Sequence, residues 1–227
     1  MSAAAPVEPA GSVGAPAAAP LDTGGAQRRG DAIDVAPMAS FAFSHRSLMW
    51  WGTVGVIAIE GTVFALAIFT YFFLWSHSTT WPLTAPPPDL RWGVINTLIM
   101  LASLLPNHWT KRAAEQLDLR KVRIGLLVCL AFAAAFLIVR IFEFRTLNVR
   151  WDSSAYGSAV WILMALHTTH LLTDVFDTIV LAVLMFTPLV EGKRYVDVSE
   201  NAMYWYFVVI AWLPVFATVY LAPRMNE

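Results

Sequence analysis

Beyond its first forty or so residues the chain is written in long apolar stretches, without the strict apolar and polar alternation of half-buried strands. Five of them, at about 50 to 75, 92 to 110, 123 to 145, 155 to 187 and 202 to 222, are near or above the ~20 residues that cross a bilayer as a helix. Backbone groups inside hydrocarbon must be satisfied within their own segment, and the two-residue alternation of a membrane barrel strand is missing. The pattern therefore predicts an all-α integral membrane protein, a bundle of five transmembrane helices. Trp50, Trp51, Tyr71, Trp75, Trp92, Trp109, Tyr204 and Trp205 fall near predicted helix ends, where amphipathic rings prefer the membrane surface. Pro82, Pro86, Pro87 and Pro88 fill a connection, Pro106 and Pro188 fall near helix ends, and Pro214 predicts a kink in the last helix.

The segment before this domain has a different character. Residues 1–40 are rich in Ala, Pro and Gly with scattered charges, too few large apolar side chains to offset chain entropy, and are predicted to be a disordered tail. They carry neither the basic start and apolar core of a secretory signal nor the acid-poor composition of a transit peptide. Residues 41–227 are the predicted five-helix domain.

Composition strengthens the membrane reading. With 58% apolar and 14% charged residues and a mean hydropathy of +0.59, the chain departs from an ordinary soluble enzyme, and its net charge of -1 offers no basic field for nucleic acid. The single cysteine, Cys129, excludes an internal disulfide and reads as a small buried hydrophobe. Charge placement predicts orientation. Arg28, Arg29, Arg46, Lys111, Arg112, Arg120, Lys121, Arg123, Lys193 and Arg194 flank one side, against Arg91, Arg145, Arg150 and Arg224 on the other. The positive-inside rule then places the N-terminus in the cytoplasm and the C-terminus outside.

Polar groups at membrane depth are the candidate chemistry, because a charge at the bilayer centre costs ~2.5 to 3.5 kcal/mol unless it has a partner, a proton or a function. Glu60 falls near the middle of the first stretch, and two readings stay open for it: a neutral carboxyl bonded to a neighbouring helix, or a proton-handling group. His167, His170, Asp174 and Asp177 follow one another at steps of three, four and three, so they share one helix face. The favoured reading is an intramembrane hydrogen-bond network in which imidazole donates to carboxylate, with proton conduction a minor branch. His167, His170 and Asp174 are weak metal candidates, since one ion reaches only adjacent members of a run ~15 Å long. Arg140 and Glu143, three residues apart, fit an internal ion pair or a snorkelling Arg. Asn96 and Thr97 read as interhelical hydrogen-bonding groups, and the basic connection from Lys111 to Arg123 as a solvated face that can also hold an anionic lipid.

Missing motifs narrow the function further. His45, His77 and His108 sit at helix ends or in connections, which leaves two histidines on one helix, too few to ligate haems and copper, and no P-loop, G-x-S-x-G, H-E-x-x-H or dinucleotide fingerprint occurs.

Several ordered features together resemble cytochrome c oxidase subunit III, the accessory membrane subunit of haem-copper oxidases, in its short five-helix form. They are Trp50, Trp51 and Gly52 ahead of Glu60, the run Ile95 to Ser103, and Phe142, Glu143 and Phe144. Ala155 to Ser158, His167-x-x-His170, Tyr204 to Val208 and Trp212 complete the set. The resemblance implies a non-catalytic subunit packing on subunit I and also meeting subunit II. It implies a role in proton uptake and complex stability during aerobic respiratory electron transport, in a bacterial inner membrane. It implies no cofactor in this chain, haem and copper in the partner subunits, and bound phospholipid. Where the family commonly reads Tyr-Trp-His-Phe-Val-Asp, this chain has Tyr206 for the His and Val209 for the Asp, so that Tyr206 is expected to offer its hydroxyl to Glu60. Two further readings stay open: a subunit-III-like partner of a nitric oxide reductase, and a stand-alone intramembrane metal-binding or transport protein built on the His167 face.

Overall fold

The computed structural model describes residues 42–82, 86–188 and 192–226; the N-terminal segment expected to be disordered lies outside them. Five long helices account for most of these residues: α1 (Leu48–Ser76), α2 (Leu90–Glu115), α3 (Leu119–Arg145), α4 (Ala155–Phe186) and α5 (Gly192–Phe216). Four starts carry a side-chain cap. Ser47 Oγ accepts from Met49 N–H (3.1 Å), Asp89 Oδ1 from Arg91 N–H (3.0 Å), Asp118 Oδ1 from Lys121 N–H (3.1 Å) and Ser154 Oγ from Gly157 N–H (3.0 Å). Short polar caps thus begin helices whose continuation is dictated by apolar runs.

Four of the five, α1, α3, α4 and the segment Gly192–Met225, are long and apolar enough to cross a membrane. The second helix falls short in composition because Asn96, Thr97, Ser103, Asn107 and His108 interrupt its apolar run and Arg91, Lys111, Arg112 and Glu115 crowd its ends. The protein is an all-helical, multi-pass membrane protein. Its α4 and α5 form the buried middle, packed against each other and against α1, while α2 and α3 pair and close on α5 and α4 respectively. The first helix packs chiefly on α4 and α5 and turns Ile59, Leu66, Phe69 and Phe73 outward, an apolar face suited to lipid.

Glycine sets the close approaches. A Cβ at Gly93 would stand 2.8 Å from the Tyr220 ring, and one at Gly125 would collide with the Thr110 hydroxyl, so α2 meets the end of α5 at one glycine and α3 at the other. At Pro214 the last helix loosens into a π turn (Ala217–Leu221) and then a 3-10 turn (Ala222–Asn226), where an apolar window suggested one continuous helix to 222. Arg224 ties this end down by donating to the Tyr220 carbonyl and, at 2.6 Å, to the Pro88 carbonyl.

The element boundaries correct the sequence reading in one consequential place. The fifth helix begins at Gly192, ten residues before the apolar window opens, because polar Lys193, Arg194, Asp197, Glu200 and Asn201 continue the helix beside a cleft. Tyr204 and Trp205 therefore stand well inside the bundle instead of at a helix end. Trp205 is buried, stacked on Phe136 at 5.2 Å with its indole N–H donated to Ser103 Oγ at 3.0 Å. Tyr71 is likewise fully buried and accepts a hydrogen bond from Trp81 at 3.1 Å.

Candidate functional site

Two polar clusters occupy the interior, one near the α3–α4 connection and one toward the end where α2 meets α3. The first is built on Arg140 and Glu143, one turn apart on α3 and both essentially without exposure. Arg140 Nη1 pairs with Glu143 Oε2 at 3.0 Å, and the guanidinium lies over the Trp212 ring at 4.3 Å. Glu143 is further held by Asn96 of α2, and its Oε1 accepts from Tyr220 at 3.0 Å. The π turn after Pro214 thus delivers Tyr220 onto a carboxylate that α3 alone leaves half satisfied. Trp212 donates to Thr97 Oγ1 at 2.7 Å, joining α2 to the same face of α5.

His167 completes this cluster, and its tautomer follows from its neighbours. Arg140 Nη2 lies 3.1 Å from His167 Nδ1 and, having only protons to offer, makes Nδ1 an acceptor. The other nitrogen, Nε2, lies 3.1 Å from the Val208 carbonyl and so carries the proton. Both ring nitrogens are committed.

The second cluster gathers Glu60, His170 and Tyr204 from α1, α4 and α5. The Tyr204 hydroxyl donates to Glu60 Oε2 at 2.7 Å, and His170 Nε2 stands 3.6 Å from Glu60 Oε1. His170 Nδ1 lies 2.6 Å from the Leu166 carbonyl, an acceptor only, which leaves Nε2 facing the carboxyl. At 3.6 Å the imidazole and the carboxyl stand just beyond hydrogen-bond reach of each other. Phe64 covers His170 on one side at 4.8 Å. On the other side Glu60 opens onto a cleft of about 730 Å³ whose wall includes Asp174, Asp177, Lys193 and Arg194.

The helical face predicted to act as one unit is divided by depth. His167, His170, Asp174 and Asp177 do share an arc of α4, but each turn meets a different neighbour: Arg140 for His167, Glu60 for His170, and Asn201 for Asp177, at 3.0 Å. Of the expected imidazole-to-carboxylate contacts, His170 alone faces a carboxyl, Glu60 at 3.6 Å, while His167 meets Arg140 and a backbone carbonyl and Asp174 takes no partner with its Oδ1. No group of three His, Cys, Asp or Glu residues arranged to hold a metal ion occurs among the described residues, and His167 has no free nitrogen for one.

The expected pairing of Tyr206 with Glu60 is also corrected. Tyr206 and His108 Nδ1 are hydrogen-bonded at 2.9 Å on the α2 side of α5. Residues two apart on a helix point about 200° apart, so Tyr204 and Tyr206 cannot serve the same helix face, and Tyr204 has the face toward α1. Tyr204 and Tyr220 were both legible as polar groups in an apolar run, but only their facing, not their identity, makes them ligands of carboxylates.

With this geometry in hand, comparison with known proteins is decisive. Residues 33–223 match the model of the family described as cytochrome c oxidase subunit III. The chain belongs to the cytochrome c oxidase subunit III family. It is 22% identical over 204 residues to cytochrome c oxidase subunit 3 of Thermostichus vulcanus, spanning 88% of this chain and 98% of that one. The subunit 3 of Corynebacterium diphtheriae is 25% identical over 191 residues, with 82% and 93% covered. A third relative, the heme-copper oxidase subunit I+III of Aeropyrum pernix, is 28% identical over 185 residues, which is 78% of this chain but 22% of that longer protein. As a subunit III of a haem-copper oxidase, the chain combines family membership with two interior clusters of unlike access.

Proposed function

We propose that this chain is a non-catalytic subunit of a proton-pumping terminal oxidase, packed on the catalytic subunit I and touching subunit II. In this reading all five helices cross the inner membrane of a bacterium, α2 being shielded by α3 and α5. The end rich in Lys and Arg faces the cytoplasm and the C-terminus faces outward. Haem and copper sit in the partner subunits, and phospholipid lines the cleft beside Glu60. The fusion of subunits I and III in the Aeropyrum pernix relative supports a direct neighbour relation with subunit I.

The observation that carries a functional role is the Glu60, Tyr204 and His170 cluster at the edge of an open cleft. A carboxyl and an imidazole within one small shift of hydrogen bonding, with water-accessible space beside them, form a relay that takes protons from the basic side and passes them toward the neighbouring subunit. Tyr204 holds the carboxyl in place. The test is affinity isolation of the tagged chain from native membranes in mild detergent, with mass spectrometry and a reduced-minus-oxidised spectrum, followed by proton-uptake measurements on the isolated complex. Co-isolation of a haem-bearing subunit I, and slower proton uptake in Glu60→Gln but not in Tyr206→Phe, are expected. A colourless chain running alone, or unchanged uptake in Glu60→Gln together with Glu60 unreactive to carbodiimide, overturns the reading.

A further inference from the structure

A second polar space lies deeper, between α2, α3, α4 and α5. It is a small, partly enclosed chamber with about 30 Å³ of room for the centres of water molecules, where one water needs about 10 to 15 Å³. Apolar side chains form its far wall, Phe136, Leu126 and Ala133 among them, but six of its lining residues are polar: Ser103, Asn107, Thr110, Asp174, Thr178 and Asn201. Engineered apolar cavities stay dry, whereas a polar one of this size holds water with two to four partners.

The decisive atom is Asp174 Oδ1. Asp174 is 5% exposed, and this oxygen has no hydrogen-bond partner among the described residues. A buried carboxyl oxygen left bare is expensive, so something inside the chamber meets it or the carboxyl carries its own proton. The neighbouring polar groups are already engaged: Ser103 accepts from Trp205, Asn107 donates to the Ala202 carbonyl at 3.0 Å, and Thr110 donates to the Pro106 carbonyl at 2.7 Å. Each retains acceptor capacity toward a water but none approaches Asp174 directly.

Asp174 also belongs to the wall of the open cleft beside Glu60, so the same side chain borders both spaces, with Asn201 beside it. From this we infer that the chamber is a hydrated proton store: it holds about two water molecules on Asp174, whose carboxyl exchanges its proton with the cleft. Release moves the proton from the carboxyl oxygen to a cleft water, and the carboxylate left behind is held by the chamber waters; uptake is the reverse. Of the chamber's lining residues only Asp174 and Asn201 also line the cleft, so exchange of the stored proton is assigned to that wall. The groups that set the charge around Asp174 are Asp177 and His170 on its own helix, Glu60 on α1 and Cys129 on α3. From α5 come Lys193, Arg194, Asp197, Glu200 and Tyr204, while α2 contributes only neutral Ser103, Asn107 and Thr110 to the lining.

Infrared difference spectroscopy of the full chain in phospholipid nanodiscs tests this. A protonated-carboxyl stretching band is expected that fades as pH is raised, moves on exchange into heavy water, disappears in Asp174→Asn and persists in Asp177→Asn. A band retained in Asp174→Asn, absent at every pH, or indifferent to heavy water overturns the proposal, as does a band removed at fixed pH by sodium, which makes the chamber a cation site. Ala133→Leu supplies a second arm in case Asp174→Asn fails to fold, because it fills the chamber while leaving the carboxyl in place. It is expected to shift the band toward that of an unhydrated carboxyl and to slow its exchange. An unchanged band there overturns the hydration.

Discussion

His167 and His170 lie one turn apart on the same helix and live in opposite circumstances. His167 is sealed among α3, α4 and α5, with Arg140 on one nitrogen and a backbone carbonyl on the other. His170 has one nitrogen fixed and the other facing Glu60 across 3.6 Å, beside a cleft open to the outside of the bundle. Around His167 every charge has a partner within the protein; around His170, Asp174 and Glu60 the charges have space and an incomplete set of partners. A buried network whose charges are paired holds helices in register and resists change, whereas a partly paired one beside open space is where a proton can arrive and leave.

The sharpest way to break this contrast is to strip the sealed cluster of its cation. Arg140→Leu leaves Glu143 buried without its counter-charge, and the expected loss is about 3–5 kcal/mol, read as a fall in the thermal unfolding midpoint of the purified protein in detergent. Replacing both partners, Arg140→Leu with Glu143→Leu, is expected to recover much of it, since no bare charge remains. A double variant as unstable as the single one shows instead that shape, not charge pairing, holds this end.

Exchanging each histidine separately sharpens the comparison at smaller magnitude. His167→Phe leaves an Arg140 donor unmet and removes the imidazole bond to the Val208 carbonyl, with an expected cost of about 1–3 kcal/mol. His170→Phe abandons no buried direct partner but the Leu166 carbonyl, and is expected to cost less while altering proton uptake more. Equal destabilisation of the two, measured in the same unfolding assay, removes the distinction drawn between them.

The smallest effect is expected outside the membrane, at the turn into α3. The Lys121 side chain, 2.8 Å away, and its backbone N–H hold the Asp118 carboxyl below its ordinary range. A carboxyl lowered in the folded state stabilises it above the unfolded value, and that contribution fades as pH falls through the folded one. Stability measured against pH is therefore expected to lose a slight acid-side slope in Asp118→Asn, with no change at the two interior clusters.

Much of this was legible without coordinates. The apolar runs specify membrane helices because hydrocarbon permits few other backbone states, and the i, i+3 spacing of Arg140 and Glu143 already brings those groups into reach on one helix. The start of α5 was not legible, because a helix extending past its apolar window through Lys193, Arg194 and Asp197 is stabilised by what lies beside it, not by its own hydropathy. Nor was the choice between Tyr204 and Tyr206, since both are tyrosines in the same apolar run and only the rotation of α5 about its axis sends one to Glu60 and the other to His108.

By itself the sequence determined the solvent of this protein, its all-helical state, its family and the identities of the costly polar residues. Those follow from transfer free energies and from spacing along one chain, which are local properties. The tertiary structure decided which polar group meets which: that Glu143 is closed off by Asn96 and Tyr220, that Glu60 faces His170, and that Asp174 stands bare at a chamber wall. Pairing across helices depends on axial rotation, depth and glycine-limited approach, and a shift of one residue in any helix would redistribute every partner.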